Sequence, residues 1–216
     1  DDGVQLIDVS DPSAPVALGS ARDGLDGFDN LDFPLGINTF TGEDGSIVAI
    51  VTSDDGVQLV DLSDPTTPVA LGAASDESNG FTQLEHAFKA STYTVHDGSV
   101  VAIVASRLDD GVQLINVSNP RVPVALGSAT DESNGFTTLR FAYSVSTFAT
   151  ADGSIIAIVA SYQDDGVQLI DVSDPTTPVA LGSATDGTNG FNTLDGAYSV
   201  STFTTADGSI IAIVAA

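Results

Sequence analysis

The chain has 216 residues, 42% of them hydrophobic, with 30 acidic side chains against 5 basic ones and a formal net charge of -25. Such a field repels nucleic acid and anionic membrane, which makes both poor partners, while the apolar content is too high for a disordered chain. There is no Cys, and no apolar run approaches the roughly 18 residues of a membrane-spanning segment, so thiol chemistry and a spanning helix are excluded.

Of the acids, 26 are Asp and 4 are Glu. Asp favours turns and caps, where its short carboxylate reaches nearby amides, and Glu favours helices, so the bias speaks for loops and strands. No signal peptide is visible and Met is absent, even at position 1. A processed product, a fragment or one segment of a longer array is expected.

The first element, DDGVQLIDVSDPSAPVALG from Asp1, returns almost unaltered at Asp54, Asp109 and Asp164. The units 1–53, 54–108, 109–163 and 164–216 are 53, 55, 55 and 53 residues long, a period that signals a propeller or solenoid. Within the third unit, Gly111–Ser118 reads as a strand with both faces buried, and Val122–Thr130 as a second strand beyond the SNPRVP turn. A polar loop over Asp131–Leu139 follows, then an inner strand over Ala142–Thr150 that alternates small or polar with apolar residues. After the turn ADG, Ser154–Ser161 is the last strand. No segment carries a 3.6-residue apolar period.

Four strands per unit and four units predict one all-β domain over 1–216, a four-bladed β-propeller of antiparallel strands. The chain starts with two strands of a blade (1–20) and ends with the other two (191–216), so one blade is expected to be shared by the two termini, pairing edges that would otherwise be open. A longer array, or head-to-tail pairing between chains, would satisfy the same edges.

The phrase GVQLIDVSDPTTPVALGSATD resembles the LVIVD repeat of bacterial and archaeal surface or secreted proteins. The resemblance rests on the apolar strand, the Asp-Val-Ser-Asp-Pro turn and the Pro-Val-x-Leu-Gly strand at 4–19, 57–72, 112–127 and 167–182. It implies a β-propeller and an extracellular or cell-surface location, and it supplies no catalytic residues.

Comparison among the units separates what builds the blade from what is free to vary. The segment before the inner strand varies most: Asp32, Glu85, Arg140 and Asp195 share one position, and Phe33, His86, Phe141 and Gly196 the next. The long loops and the Asp-Asp-Gly hairpins are expected on one face, which would hold 19 of the 30 acids. Loops on such a face can vary while the blades stay rigid, so these positions are the candidate ligand-binding surface. Phe28, Phe81, Phe136 and Phe191, one per unit, read as plugs between blades, and Phe88, Tyr143 and Tyr198 as packing residues or a stacking platform for a sugar.

The same loops pack oxygen donors around glycines, which makes Ca²⁺ the metal to consider, with Asp23, Asp26, Asp76, Asn79, Asp131, Asn134, Asp186 and Asn189 as its candidate ligands. None matches the EF-hand order, and ordinary Asx turns account for the same residues. His86 and His96 do not recur between units, and no nucleophile, Walker or dinucleotide motif occurs. The expected function is a non-enzymatic structural or adhesive module that self-assembles into a filament or surface layer. The alternative is a module that binds a surface polysaccharide or protein.

Overall fold

The computed structural model describes residues 2–216 and is all-β, with no helix among the described residues. Three complete four-stranded antiparallel sheets form the body. The first blade runs β3 (Gly36–Thr41), β4 (Ile47–Ser53), β5 (Gly56–Asp61), β6 (Val69–Ser75). The second runs β7 (Ala87–Thr94), β8 (Val100–Ser106), β9 (Gly111–Asn116), β10 (Val124–Thr130), and the third β11 (Ala142–Ala149), β12 (Ile155–Ser161), β13 (Gly166–Asp171), β14 (Val179–Thr185). Before them lies the half-blade β1 (Gly3–Asp8) and β2 (Val16–Arg22), after them the half-blade β15 (Ser199–Thr204) and β16 (Ile210–Ala215).

The central strands are mostly apolar because a neighbouring blade covers each of their faces. In β8, Val101, Ile103 and Ala105 enter the layer toward the third blade, and Ala102 and Val104 the layer toward the first. Four such apolar layers separate the five sheets. Phe28, Phe81 and Phe136 plug three of these layers at 2–3% exposure.

A repeated buried glutamine locks the outer half of each blade. Gln113 Nε2 donates to the Leu114 and Gly127 carbonyls, where the β9–β10 register is shifted by a bulge. Its Oε1 accepts the Thr82 amide from the loop leading in from the blade before. Gln58 and Gln168 repeat all three bonds. A second clasp joins neighbouring blades: the Gly19, Gly72 and Gly127 amides donate to the Pro65, Pro120 and Pro175 carbonyls at 2.8–2.9 Å. A Cβ on Gly72 would stand 2.4 Å from Pro123 Cδ, which explains the invariant glycine of this strand.

The expected stitch between the termini is not formed. β1 pairs with β2 alone and β15 with β16 alone, in two separate sheets. The described residues therefore make an open arc of three blades and two half-blades, rather than a closed four-bladed ring. The inner strands pack β3 on β7, β7 on β11 and β11 on β15, and β15 makes no comparable contact with β3. One polar pair per step holds that spacing: Asn38–Thr92, Ser91–Thr147 and Ser146–Thr202, at 2.9–3.1 Å.

Candidate functional site

The long loops and the Asp-Asp-Gly hairpins do share one face, and hydrogen bonds knit them together. Asp109 Oδ2 accepts the Glu85 amide at 2.7 Å, and Asp164 Oδ2 the Arg140 amide at 2.8 Å, each within its own blade. The second Asp of the hairpin reaches the next blade: Asp110 Oδ1 accepts the Phe141 amide at 2.8 Å and Asp165 Oδ1 the Gly196 amide at 2.9 Å. These bonds fix the chain just before each inner strand. The variable position is left-handed in all four units, with φ of 46° at Phe33, 56° at His86, 53° at Phe141 and 69° at Gly196.

Burial is the largest effect on Asp109 and Asp164, and it raises both carboxyls above the ordinary aspartate value. Asp76 and Glu85 add to the rise at Asp109 and Asp131 adds at Asp164, while the amide and serine bonds they accept oppose it. Asp32 is raised by desolvation first and then by Asp2, Asp23, Asp55 and Asp54 around it.

The candidate calcium ligands have other work. Asp23, Asp76, Asp131 and Asp186 each turn Oδ1 onto the amide eight residues on, at Leu31, Leu84, Leu139 and Leu194, over 2.8–3.1 Å. Those leucines are buried, so each bond ties its loop to the core. Asp26, Asn79, Asn134 and Asn189 are the left-handed residues of the turns between, φ 48–53°. Among the described residues no three acidic or histidine side chains converge as a metal cluster would.

The variable residues scatter in role. Glu85, Arg140 and Asp195 are exposed at the rim, Phe33 is 64% exposed, and His86 Nδ1 lies against the Asp54 carboxylate. His86, Phe141 and Gly196 border a common cluster, Gly196 lying against the Tyr162 ring. At its centre are Phe88, Tyr143 and Tyr198, from the starts of the second and third inner strands and the segment before the fourth. Their ring centroids lie 4.5 Å apart for Phe88–Tyr143, 4.7 Å for Tyr143–Tyr198 and 5.6 Å for Phe88–Tyr198. Tyr162 adds an edge contact to Tyr143 at 5.6 Å. The Arg107 guanidinium lies over both Phe141, at 5.0 Å, and Tyr143, at 5.7 Å, and its buried Nε has no hydrogen-bond partner among the described residues. Beside the cluster, a cavity of about 210 Å³ opens between all four inner strands, bordered by Ile37, Lys89, Tyr143, Ser144, Tyr198 and Ser199.

Arg107 and Tyr162 escaped the reading of the sequence, and a signal for both was there. They are the first of the two extra residues, Arg107-Leu108 and Tyr162-Gln163, that lengthen the two 55-residue units just before Asp-Asp-Gly. Each insertion sets its ring or cation against Tyr143.

The fold has relatives among solved structures. A protein of unknown function from Desulfotomaculum acetoxidans superposes with a TM-score of 0.61 at 10% identity, over 98% of this chain and 56% of that one. An exo-β-1,3-galactanase from Phanerochaete chrysosporium, solved with β-1,3-galactotriose, gives 0.59 at 10% identity over 100% and 48%. The periplasmic gluconolactonase of Pseudomonas aeruginosa gives 0.54 at 13% over 93% and 54%. This chain thus spans about half the length of these structures, and the likeness is one of fold, β-propeller-like. No curated protein matches the sequence. The LVIVD repeat family matches residues 1–23 and 157–186, the central and outer strands of the repeated unit. Those two stretches are similar to LVIVD repeats, and the fold is β-propeller-like.

Proposed function

We propose that this chain is a binding module, not an enzyme, and that it takes a sugar ring at the mouth between its inner strands. The observation that carries this reading is the aromatic cluster of Phe88, Tyr143, Tyr198 and Tyr162, with Tyr198 about half exposed at the cavity and Tyr162 about half exposed against Tyr143. Rings held edge-on to one another at the axis present flat apolar surface next to Lys89, Ser144 and Ser199, whose polar groups suit hydroxyl partners. Arg107 adds guanidinium donors, and its guanidinium lies over the Phe141 and Tyr143 rings. That the galactanase of similar fold was solved with a galactan oligosaccharide supports a carbohydrate as the first ligand to try.

The test is calorimetric titration with soluble oligosaccharides, β-1,3-galactotriose and an oligogalacturonide first. Binding of at least one is expected, with Tyr198→Ala weakening it about tenfold or more, a loss of about 1.4 kcal/mol. Tyr198 is 48% exposed, so the variant should melt where the parent does. No binding across a glycan panel, or binding indifferent to Tyr198→Ala and Arg107→Met, overturns the reading.

A structural role by self-assembly is the second reading. The open edges of β1 and β16 favour it, since an edge strand with apolar side chains is a template for another chain. A filament or surface layer would appear in electron micrographs of the purified protein, and dispersed particles would count against it.

A further inference from the structure

We infer that two copies of this chain join end to end, each C-terminal half-blade completing the N-terminal half-blade of the other, into one closed ring of eight blades. This goes beyond the sugar-binding reading and does not depend on it.

The ends of the arc are complementary in the same terms that join its blades inside. Central strands pair in one register three times over, as in Ile156↔Asp171 through Ser161↔Gly166 between β12 and β13. Carried to the ends, that register sets Ile211 opposite Asp8 and Ala212 opposite Ile7 of the second copy, and it aligns β16 with β1 over their whole length. Both strands are open at that edge.

Their exposure shows the missing cover. Ile213 is 64% exposed, whereas its counterparts Ile50, Ile103 and Ile158 are 0–4% exposed. Ile7 is 52% exposed, against 0% for Val60, Ile115 and Ile170. Phe191 is 45% exposed, whereas the other three plugs are buried.

Three polar joints repeat between neighbouring blades, and each has its next two halves at opposite ends of the chain. The glycine–proline clasp leaves Gly182, which faces open space, and Pro12. The amide–glutamine bond leaves Asn192 and Gln5. The inner-strand pair leaves Ser201 and Thr39, both exposed. A second copy supplies the strand, the plug cover and all three halves at once.

The simplest operation that closes such a joint is a twofold. Two such arcs related by a twofold along the ring axis give two identical head-to-tail joints, and a heterologous joint whose rotation closes makes a ring instead of a fibre. Three complete blades per copy and two shared ones give eight, within the usual range of four to eight. Each copy carries -25, so the joints form against repulsion and added salt should strengthen them.

Light scattering on a size-exclusion column is the test, at 0.05 and 0.5 M NaCl. The expected mass is twice the 21.9 kDa chain, with the dimer favoured at high salt. Ile7→Lys and Ile213→Lys each spoil one edge, and since both residues are already exposed the monomers should melt normally. Each variant alone is expected to be monomeric. Mixing the two restores association, because one sound edge of each kind remains. Ala212→Cys with Ile7→Cys, oxidised, should link two chains. A cross-link within one chain, a monomer at every salt and concentration, or a ladder of masses above the dimer overturns the ring. So does a mixture that stays monomeric, or a dimer that survives both lysine variants.

Discussion

Asp110 and Phe141 meet across the gap between two blades, the Asp110 carboxylate accepting the Phe141 amide at 2.8 Å, and both residues hold a left-handed backbone with φ of 51° and 53°. A residue with a Cβ loses about 1–2 kcal/mol in that conformation, and asparagine or aspartate tolerates it best among non-glycines. Two effects are therefore separable at Asp110. Asp110→Ala loses the charge-assisted bond and keeps the strain, and is expected to cost about 2–3 kcal/mol. Asp110→Gly loses the bond but relieves the backbone, and should unfold about 1 kcal/mol later than Asp110→Ala in urea. Equal midpoints would show that the bond alone matters there.

Gln113 is the strongest single polar anchor of a blade, 1% exposed and bonded to Leu114, Gly127 and Thr82. Gln113→Leu keeps the volume but strands two carbonyls and one amide, so a loss of about 3 kcal/mol is expected. Gln5 occupies the same position in the first half-blade, makes only the two carbonyl bonds, and is exposed. Gln5→Leu should cost less than about 1 kcal/mol in the monomer. Chemical denaturation of the two variants side by side gives the comparison.

The repeat made the strands legible. The expected strand Gly111–Ser118 ends two residues late against β9, and the expected Ala142–Thr150 one residue late against β11. Gln113 shows where legibility ended. An apolar strand reads as buried whether its one polar residue is a staple or a tolerated exception, and only the bulge between β9 and β10 brings its partners within reach. Ring closure was hidden for a different reason. Four units fix how many four-stranded repeats the chain carries, but whether its two end halves meet depends on how side chains fill the layers between sheets, which no repeat count contains. At the candidate site, the position of Phe141 was found by its variability among units. Arg107 belongs to an insertion found in only two units, where its counterpart is Tyr162, a residue of another kind, so comparison among the four units passed over both.

Asp131 separates a cap from a metal ligand. Its Oδ1 holds the Leu139 amide at 3.1 Å, with Leu139 wholly buried behind it. An asparagine keeps that acceptor and an alanine does not. Asp131→Asn is expected to change stability by less than about 0.5 kcal/mol, and Asp131→Ala to cost about 1–2 kcal/mol, because the lost partner leaves a loop amide unpaired at the core boundary. The melting temperature should be the same in chelator and in millimolar calcium. A calcium-dependent rise that Asp131→Asn abolishes would show instead that the loop binds metal.

Stability against acid should pass through a maximum, because two groups of aspartates shift in opposite directions. Asp109 and Asp164 have carboxyls raised by burial, so the folded state holds their protons more tightly than the unfolded chain does. As pH falls from 7 toward the ordinary value of 3.8, they protonate first in the folded state and stability rises, helped by the shrinking net charge. The turn aspartates behave oppositely. Asp8, Asp11, Asp44, Asp64, Asp97, Asp152, Asp174 and Asp207 are lowered by the bonds they accept from Ser and Thr two residues away. Their contribution is whole above 3.8 and is lost as pH falls below it through their folded values. Thermal melts at 0.15 M salt from pH 7 to pH 2 should therefore climb, peak near pH 4 and then drop. Asp109→Asn with Asp164→Asn removes two of the three raised groups, leaving Asp32, and should lower the climb while leaving the drop in place. An unchanged climb in that double variant would assign it to Asp32 and relief of the overall charge.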